Sequence, residues 1–129
     1  MLPPRNRLRR RRDHQVTTRR GLRSGGELVV VHLMPGAPGE TRPTRVGFVV
    51  GRAVGAAVTR NTVRRRLRHL MTNRLERVPA GSLVVVRAQP AAATASSTVL
   101  GSNLDVALER TLAAGGRTVA APAAVGGRR

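Results

Sequence analysis

The residue types able to carry chemistry are few. Cysteine is absent, which removes disulfides, thiolate nucleophiles and thiolate metal sites. The histidines are His14, His32 and His69, widely separated and without a His-x-x-x-His pair, and the six carboxylates are too thinly spread to complete a zinc site. No catalytic residue and no protein-bound metal is predicted. Arginine is the abundant functional group: the chain carries 24 basic residues, all of them Arg, against 6 acidic ones, a net charge of +18. Such an excess calls for a polyanionic partner, and the planar guanidinium pairs bidentately with phosphate and stacks on bases.

The arginines are concentrated in Gly55–Leu70, GAAVTRNTVRRRLRHL. Val63, Leu67 and Leu70 recur there at helical spacing, with Val58 one turn earlier, and Asn61, Arg65, Arg68 and Thr72 fall on the opposite face, flanked by Arg64 and Arg66. An ordinary solvated helix intersperses Glu at i,i+4 to pair with Arg, but no carboxylate occurs between Glu40 and Glu76. Uncompensated like charges destabilise a helix, so this face is read as one that a phosphate backbone neutralises. A second basic group, Arg9, Arg10, Arg11 and Arg12, closes an N-terminal arm over residues 1–12. The arm before Leu8 is expected to be a free charged tail.

Elements able to position these groups follow from pattern. Asp13 to Arg20 reads as a short helix with Asp13 as its cap, stopped by Gly21. Gly26–Gly36 and Thr44–Gly51 are β-branched runs joined by a Pro/Gly-rich connection, which predicts an antiparallel pair. The arginine helix is expected to continue to about Arg77, before Pro79 and Gly81. Ser82–Ala88 is a third apolar strand, and the long helix between it and the second strand predicts parallel pairing of those two. An amphipathic helix follows from about Ser96, with Val99, Leu100, Leu104, Ala107, Leu108 and Leu112 as its apolar set. The expected fold class is α+β, an α-β-β-α-β-α single domain over residues 13–114 with a small mixed sheet. The Ala/Gly-rich stretch 115–129 is read as a disordered tail. No apolar run is long enough to span a bilayer and the arginine-rich start lacks a signal-peptide core, so a cytoplasmic protein is expected, with no membrane contact and no obligate protein partner.

The phrase Arg60-Asn61-Thr62 followed by Val63-Arg64-Arg65-Arg66-Leu67-Arg68, and preceded by Gly51-Arg52-Ala53-Val54-Gly55-Ala56-Ala57-Val58, resembles the signature of the protein subunit of bacterial ribonuclease P. Arg5-Asn6-Arg7-Leu8, Arg45-Val46-Gly47 and the end of the third strand, Arg87-Ala88 followed by Pro90, resemble further phrases of that family in its order. The resemblance implies a left-handed β-α-β crossover. It also implies partnership with a catalytic RNA that cuts the 5′ leader from precursor tRNA, with Mg²⁺ held mainly by that RNA. Carried over by position, Arg52, Arg60, Asn61, Thr62, Arg64, Arg65 and Arg68 would meet RNA, and His14, Thr18 and His32 would form a cleft for the leader. The sequence departs from the family at Thr62, where a second Arg is usual, at Ala56, where Asn is usual, and in the cleft, where aromatic residues are usual. A structural RNA-binding protein of ribosomal type shares the same charge and size class.

Overall fold

A computed structural model of the chain describes residues 2–116. The stretch read as a tail therefore lies almost wholly outside the described residues. Three helices and four strands are formed: α1 (Arg11–Arg20), β1 (Leu22–Gly25), β2 (Val29–Met34), β3 (Arg45–Val49), α2 (Ala57–Thr72), β4 (Leu83–Ala88) and α3 (Ser97–Thr111). The α+β class and the mixed sheet agree with the sequence reading.

Sheet order is β1-β2-β4-β3, with β4 antiparallel to β2 and parallel to β3. The parallel pair joined through α2 was expected; the antiparallel pairing of the first two long strands was not what formed. β4 lies between them. Val84, Val85 and Val86 are fully buried, so β4 must be covered on both faces, and the centre of the sheet also gives it a partner on each edge. The connection between β2 and β3 accordingly crosses the end of β4. There Gly36 passes so close to Ala80 and Gly81 that a side chain would not fit, and Glu40 packs against Gly81, whose φ of +79° suits glycine.

β1 was not expected. Its LRSG sequence alternates half-buried and exposed residues and has no apolar run, so its pairing with β2 is its only strong signal. The Asn103 Oδ1 of α3 secures the turn between them, accepting from the backbone N–H groups of Leu28 and Val29 at 3.2 Å each.

The sheet has two unlike faces. Val29, Val31 and Leu33 of β2 meet Val84 and Val86 of β4, Val63, Leu67 and Met71 of α2, and Leu100, Leu104 and Leu108 of α3 in the main core. On the opposite face α1 packs over β2 and β4, covering Val30 and Val85, which are buried but stand apart from that core. Period-two alternation along β2 and β4 produces both faces from strands that are apolar throughout.

The helix boundaries also differ from expectation. α1 begins at Arg11, which places Asp13 in the first turn instead of at the cap, where it still favours the positive end of the helix dipole. α2 ends at Thr72 and is followed by a 3₁₀ turn, Leu75–Arg77. Val58, read as part of the apolar stripe, is instead 78% exposed. α3 starts where the sequence placed it, near Ser96, which caps it with its Oγ accepting from the N–H of Val99.

The arm before Leu8 is packed against the domain and is not a free tail. Leu2 and Leu8 are buried, the Asn6 Nδ2 donates to the Thr44 carbonyl at 2.8 Å, and Arg7 bridges Val46 in parallel. Leu2 and Leu8, the two leucines of the arm, are the anchors. The segment covers the edge of β3, which would otherwise expose unpaired backbone groups.

Candidate nucleic-acid interface

The first turns of α2 build the arginine face. Arg52, Asn61, Arg65 and Arg68 are exposed, and Arg60 and Arg64 are partly so. Arg60 Nε donates to the Gly55 carbonyl at 3.2 Å, and Arg64 Nη1 donates to Asn61 Oδ1 at 3.0 Å. These neutral acceptors hold the guanidinium groups in place without cancelling their charge. Thr62 turns its hydroxyl inward, donating to the Val58 carbonyl at 3.0 Å. Arg66 serves the fold, with Nη1 donating to the Ala95 carbonyl at 3.2 Å just ahead of α3.

Charge is segregated. Among the described residues the ion pairs are Glu40–Arg42 at 2.7 Å, Asp105–Arg74 at 2.6 Å and Asp105–Arg77 at 2.7 Å. None involves Arg52, Arg60, Arg64, Arg65 or Arg68, nor Arg9, Arg10, Arg11 or Arg12. Hydrogen bonds from Arg74, followed by the charges of Arg74 and Arg77, hold the Asp105 carboxyl below the usual range and outweigh its partial burial. Asp105 therefore ties the segment after α2 to α3, and the arginines of the α2 face are left without a carboxylate partner among the described residues.

A cleft of roughly 230 Å³ opens at the edge of β3. Arg7 and Arg9 of the arm, His14 of α1, Phe48 of β3, and Arg64 and Arg68 of α2 line it. Four separate elements thus converge on one concave site. His14 reaches it because Gly47 has no side chain: a Cβ there would collide with the imidazole. Phe48 is the only Phe, Tyr or Trp of the chain, and its place in the apolar run of β3 suits a core residue. It does pack on the core but is only partly buried, since β3 is an outer strand, and it presents an aromatic surface beside the arginines.

The three residues carried over for a leader cleft are not brought to one lining. His14 is in the cleft. Thr18 lies a turn further along α1, its hydroxyl bonded back to the carbonyls of His14 and Gln15 at 3.1 Å each. His32 is buried on β2 beneath the α1 side of the sheet. Arg7 and Phe48 escaped the sequence reading, because their meeting depends on the arm docking against β3. The Arg-Asn-Arg-Leu phrase was the available signal for the first.

The ribonuclease P family model matches residues 2–112, nearly the whole of the described chain. The chain belongs to the ribonuclease P protein family. It is 56% identical over 123 residues to the ribonuclease P protein component of Streptomyces avermitilis, covering 91% of this chain and all of that one. It is 50% identical over 113 residues to that of Thermobifida fusca, covering 84% of this chain and 77% of that one. Among solved structures, the RNase P protein from Thermotoga maritima superposes with a TM-score of 0.70 at 27% identity, covering 82% of this chain and 97% of that one. The RNase P protein of Staphylococcus aureus shares the fold with a TM-score of 0.71 at 21% identity, over 81% of this chain and 94% of that one. The ribonuclease P family thus accounts for the order of the phrases around Asn6, Gly47, Asn61 and Pro90, which the ribosomal-type alternative does not.

Proposed function

We propose that this chain is the protein component of ribonuclease P, a subunit of the endoribonuclease that matures the 5′ end of tRNA. The observation that carries the reading is the face of Arg52, Arg60, Arg64, Arg65 and Arg68, without a carboxylate partner among the described residues and continuous with the cleft at β3. The exposed part of that face docks on the catalytic RNA. Arg64 and Arg68 also reach the cleft, so one helix serves two polyanions and lowers the repulsion between them.

The 5′ leader of precursor tRNA is assigned to the cleft, where single-stranded bases can meet Phe48 and His14 while Arg7, Arg9, Arg64 and Arg68 hold phosphates. Mg²⁺ is assigned to RNA phosphates, where it supplies an activated water and stabilises the leaving oxygen. Among the described residues no group of three or more His, Asp or Glu is placed to hold a metal ion. Among the same residues no helix is long and apolar enough to cross a membrane.

Reconstitution tests the reading. The protein is mixed with its cognate ribonuclease P RNA at low Mg²⁺, and removal of the leader from precursor tRNA is followed. Stimulation over RNA alone is expected, with tighter binding of precursor than of mature tRNA. Folded protein that binds the RNA yet gives no stimulation would defeat the proposal.

A further inference from the structure

Buried polar side chains gather at one end of the sheet, away from the arginine face of α2. Asn6, Thr44 and Ser82 are all buried, whereas the remaining buried polar residues, Thr17, His32 and Thr111, are scattered over α1, β2 and α3. The first three form one hydrogen-bonded line. Asn6 Nδ2 donates to the Thr44 carbonyl at 2.8 Å, joining the arm to the residue that precedes β3. Thr44 Oγ1 donates to the Pro79 carbonyl at 2.8 Å, Ser82 Oγ donates to the same carbonyl at 2.7 Å, and the Arg45 N–H donates to the Ser82 carbonyl at 3.0 Å. The Thr44 carbonyl is thus fixed from the β4 side of the sheet before Asn6 reaches it. A buried hydrogen bond of this kind specifies one placement of the chain, because any other leaves a polar group with neither water nor a partner.

What it specifies is the seat of the arm. Past Asn6 the arm runs beside β3, with the Leu8 N–H donating to the Val46 carbonyl at 3.0 Å and Arg7 bridged to Val46. Leu8 is buried, Arg7 is half-buried with its Nε donating to the Leu2 carbonyl at 3.1 Å, and Arg9 is exposed. Leucine burial alone does not fix this register, and a slip of one residue would turn an arginine inward. Charge opposes the seat. Arg7 and Arg9 share the cleft with Arg64 and Arg68, and no carboxylate lines it among the described residues. The two walls repel each other until an anion lies between them. Asn6, being neutral, holds the arm without cancelling that charge.

We infer that Asn6 is a positioning residue: its bond to the Thr44 carbonyl clamps the arm as the movable wall of the cleft, presenting Arg7 and Arg9 opposite Arg64 and Arg68. A polyanion in the cleft relieves the repulsion and tightens the clamp. This rests on the leader reading and adds the element that closes on the leader.

Amide hydrogen exchange of the full-length protein follows the clamp, because the Leu8 N–H crosses from the arm to β3. In the wild type, Leu8 should exchange at least about tenfold faster than Val85 of β4 after correction for intrinsic rates, since the arm opens without the sheet. Asn6→Ala, which removes a donor and no charge, should quicken Leu8 about fivefold, the equivalent of one lost hydrogen bond. A short single-stranded RNA should slow it.

The holoenzyme gives the functional readout, as the ratio of affinities for precursor and mature tRNA. Arg9→Gln should lower that ratio about fourfold near 0.15 M salt, one phosphate contact's worth. Asn6→Ala should lower it too, while affinity for the catalytic RNA stays within about twofold. In the Asn6→Ala background Arg9→Gln should cost about twofold or less, because the arm is already displaced, whereas Arg68→Gln on the fixed wall keeps its full effect.

Leu8 and Val85 exchanging together in the wild type, or Leu8 unmoved by Asn6→Ala or by RNA, overturns the clamp. Additive effects of Asn6→Ala and Arg9→Gln reduce Asn6 to a merely structural residue and overturn its positioning role. If the wild type prefers precursor and Asn6→Ala keeps that preference in full, this inference fails and the leader reading stands; if the wild type shows no preference, the leader reading fails on its own account.

Discussion

Replacing Arg64 by Gln should make the protein more stable and a poorer RNA binder. Arg60, Arg64 and Arg68 are spaced i,i+4 along α2, so Arg64 sits between two like charges, and no carboxylate pairs with any of the three among the described residues. Each like-charge pair at that spacing costs about 0.2–0.5 kcal/mol, so removing the middle one relieves about 0.4–1 kcal/mol. Gln matches Arg in helix propensity and can still donate to Asn61, so the helix itself is undisturbed. For a chain of this length the gain corresponds to a rise in Tm of about 1.5–4 °C at low salt. In the same variant one phosphate contact is lost. With a slope of about 0.7 per contact, affinity for the catalytic RNA should fall about fourfold near 0.15 M salt and about eightfold near 0.05 M. Calorimetry of the free protein and filter binding across salt measure the two effects on one preparation. A lower Tm, or an affinity that does not change with the substitution at low salt, would refute the claim that this face is held uncompensated for RNA.

Gly47→Ala should place a methyl group against the His14 imidazole and cost about 1–3 kcal/mol in urea unfolding. Adding His14→Ala should recover much of that loss, whereas strictly additive penalties would rule out the contact. Asp105→Asn should cost about 1–2 kcal/mol at neutral pH through its hydrogen bonds to Arg74 and Arg77. Because the folded carboxyl titrates below its unfolded value, this stability is present above the unfolded pKa and is lost as pH falls through the folded one. Wild type and variant should therefore converge in acid, and a gap that stays constant down to the acid transition would contradict the ion-pair account.

Much of the interface was legible before the fold was known. The helical period of Val63 and Leu67 fixes which side of α2 is buried, and the lack of Asp or Glu from residue 41 to 75 marks the other side as a partner surface. These are local facts: 3.6-residue periodicity and charge composition need no knowledge of distant chain. The cleft was not legible in the same way. Its lining comes from residues between Leu2 and Arg68, and Phe48 reads as core in any short window.

Sequence alone determined the class of partner, the apolar and basic sides of α2, the strand character of residues 29–34, 45–49 and 83–88, and the start of the last helix near Ser96. Tertiary structure decided that β4 takes the centre of the sheet, that Leu2 and Leu8 draw the arm onto the edge of β3, and that His32 is sealed beneath α1 while His14 stays open. The physical reason is common to all three. An apolar strand records that it must be buried but not which neighbours bury it, and that choice is made only when every face and edge of the sheet competes for cover.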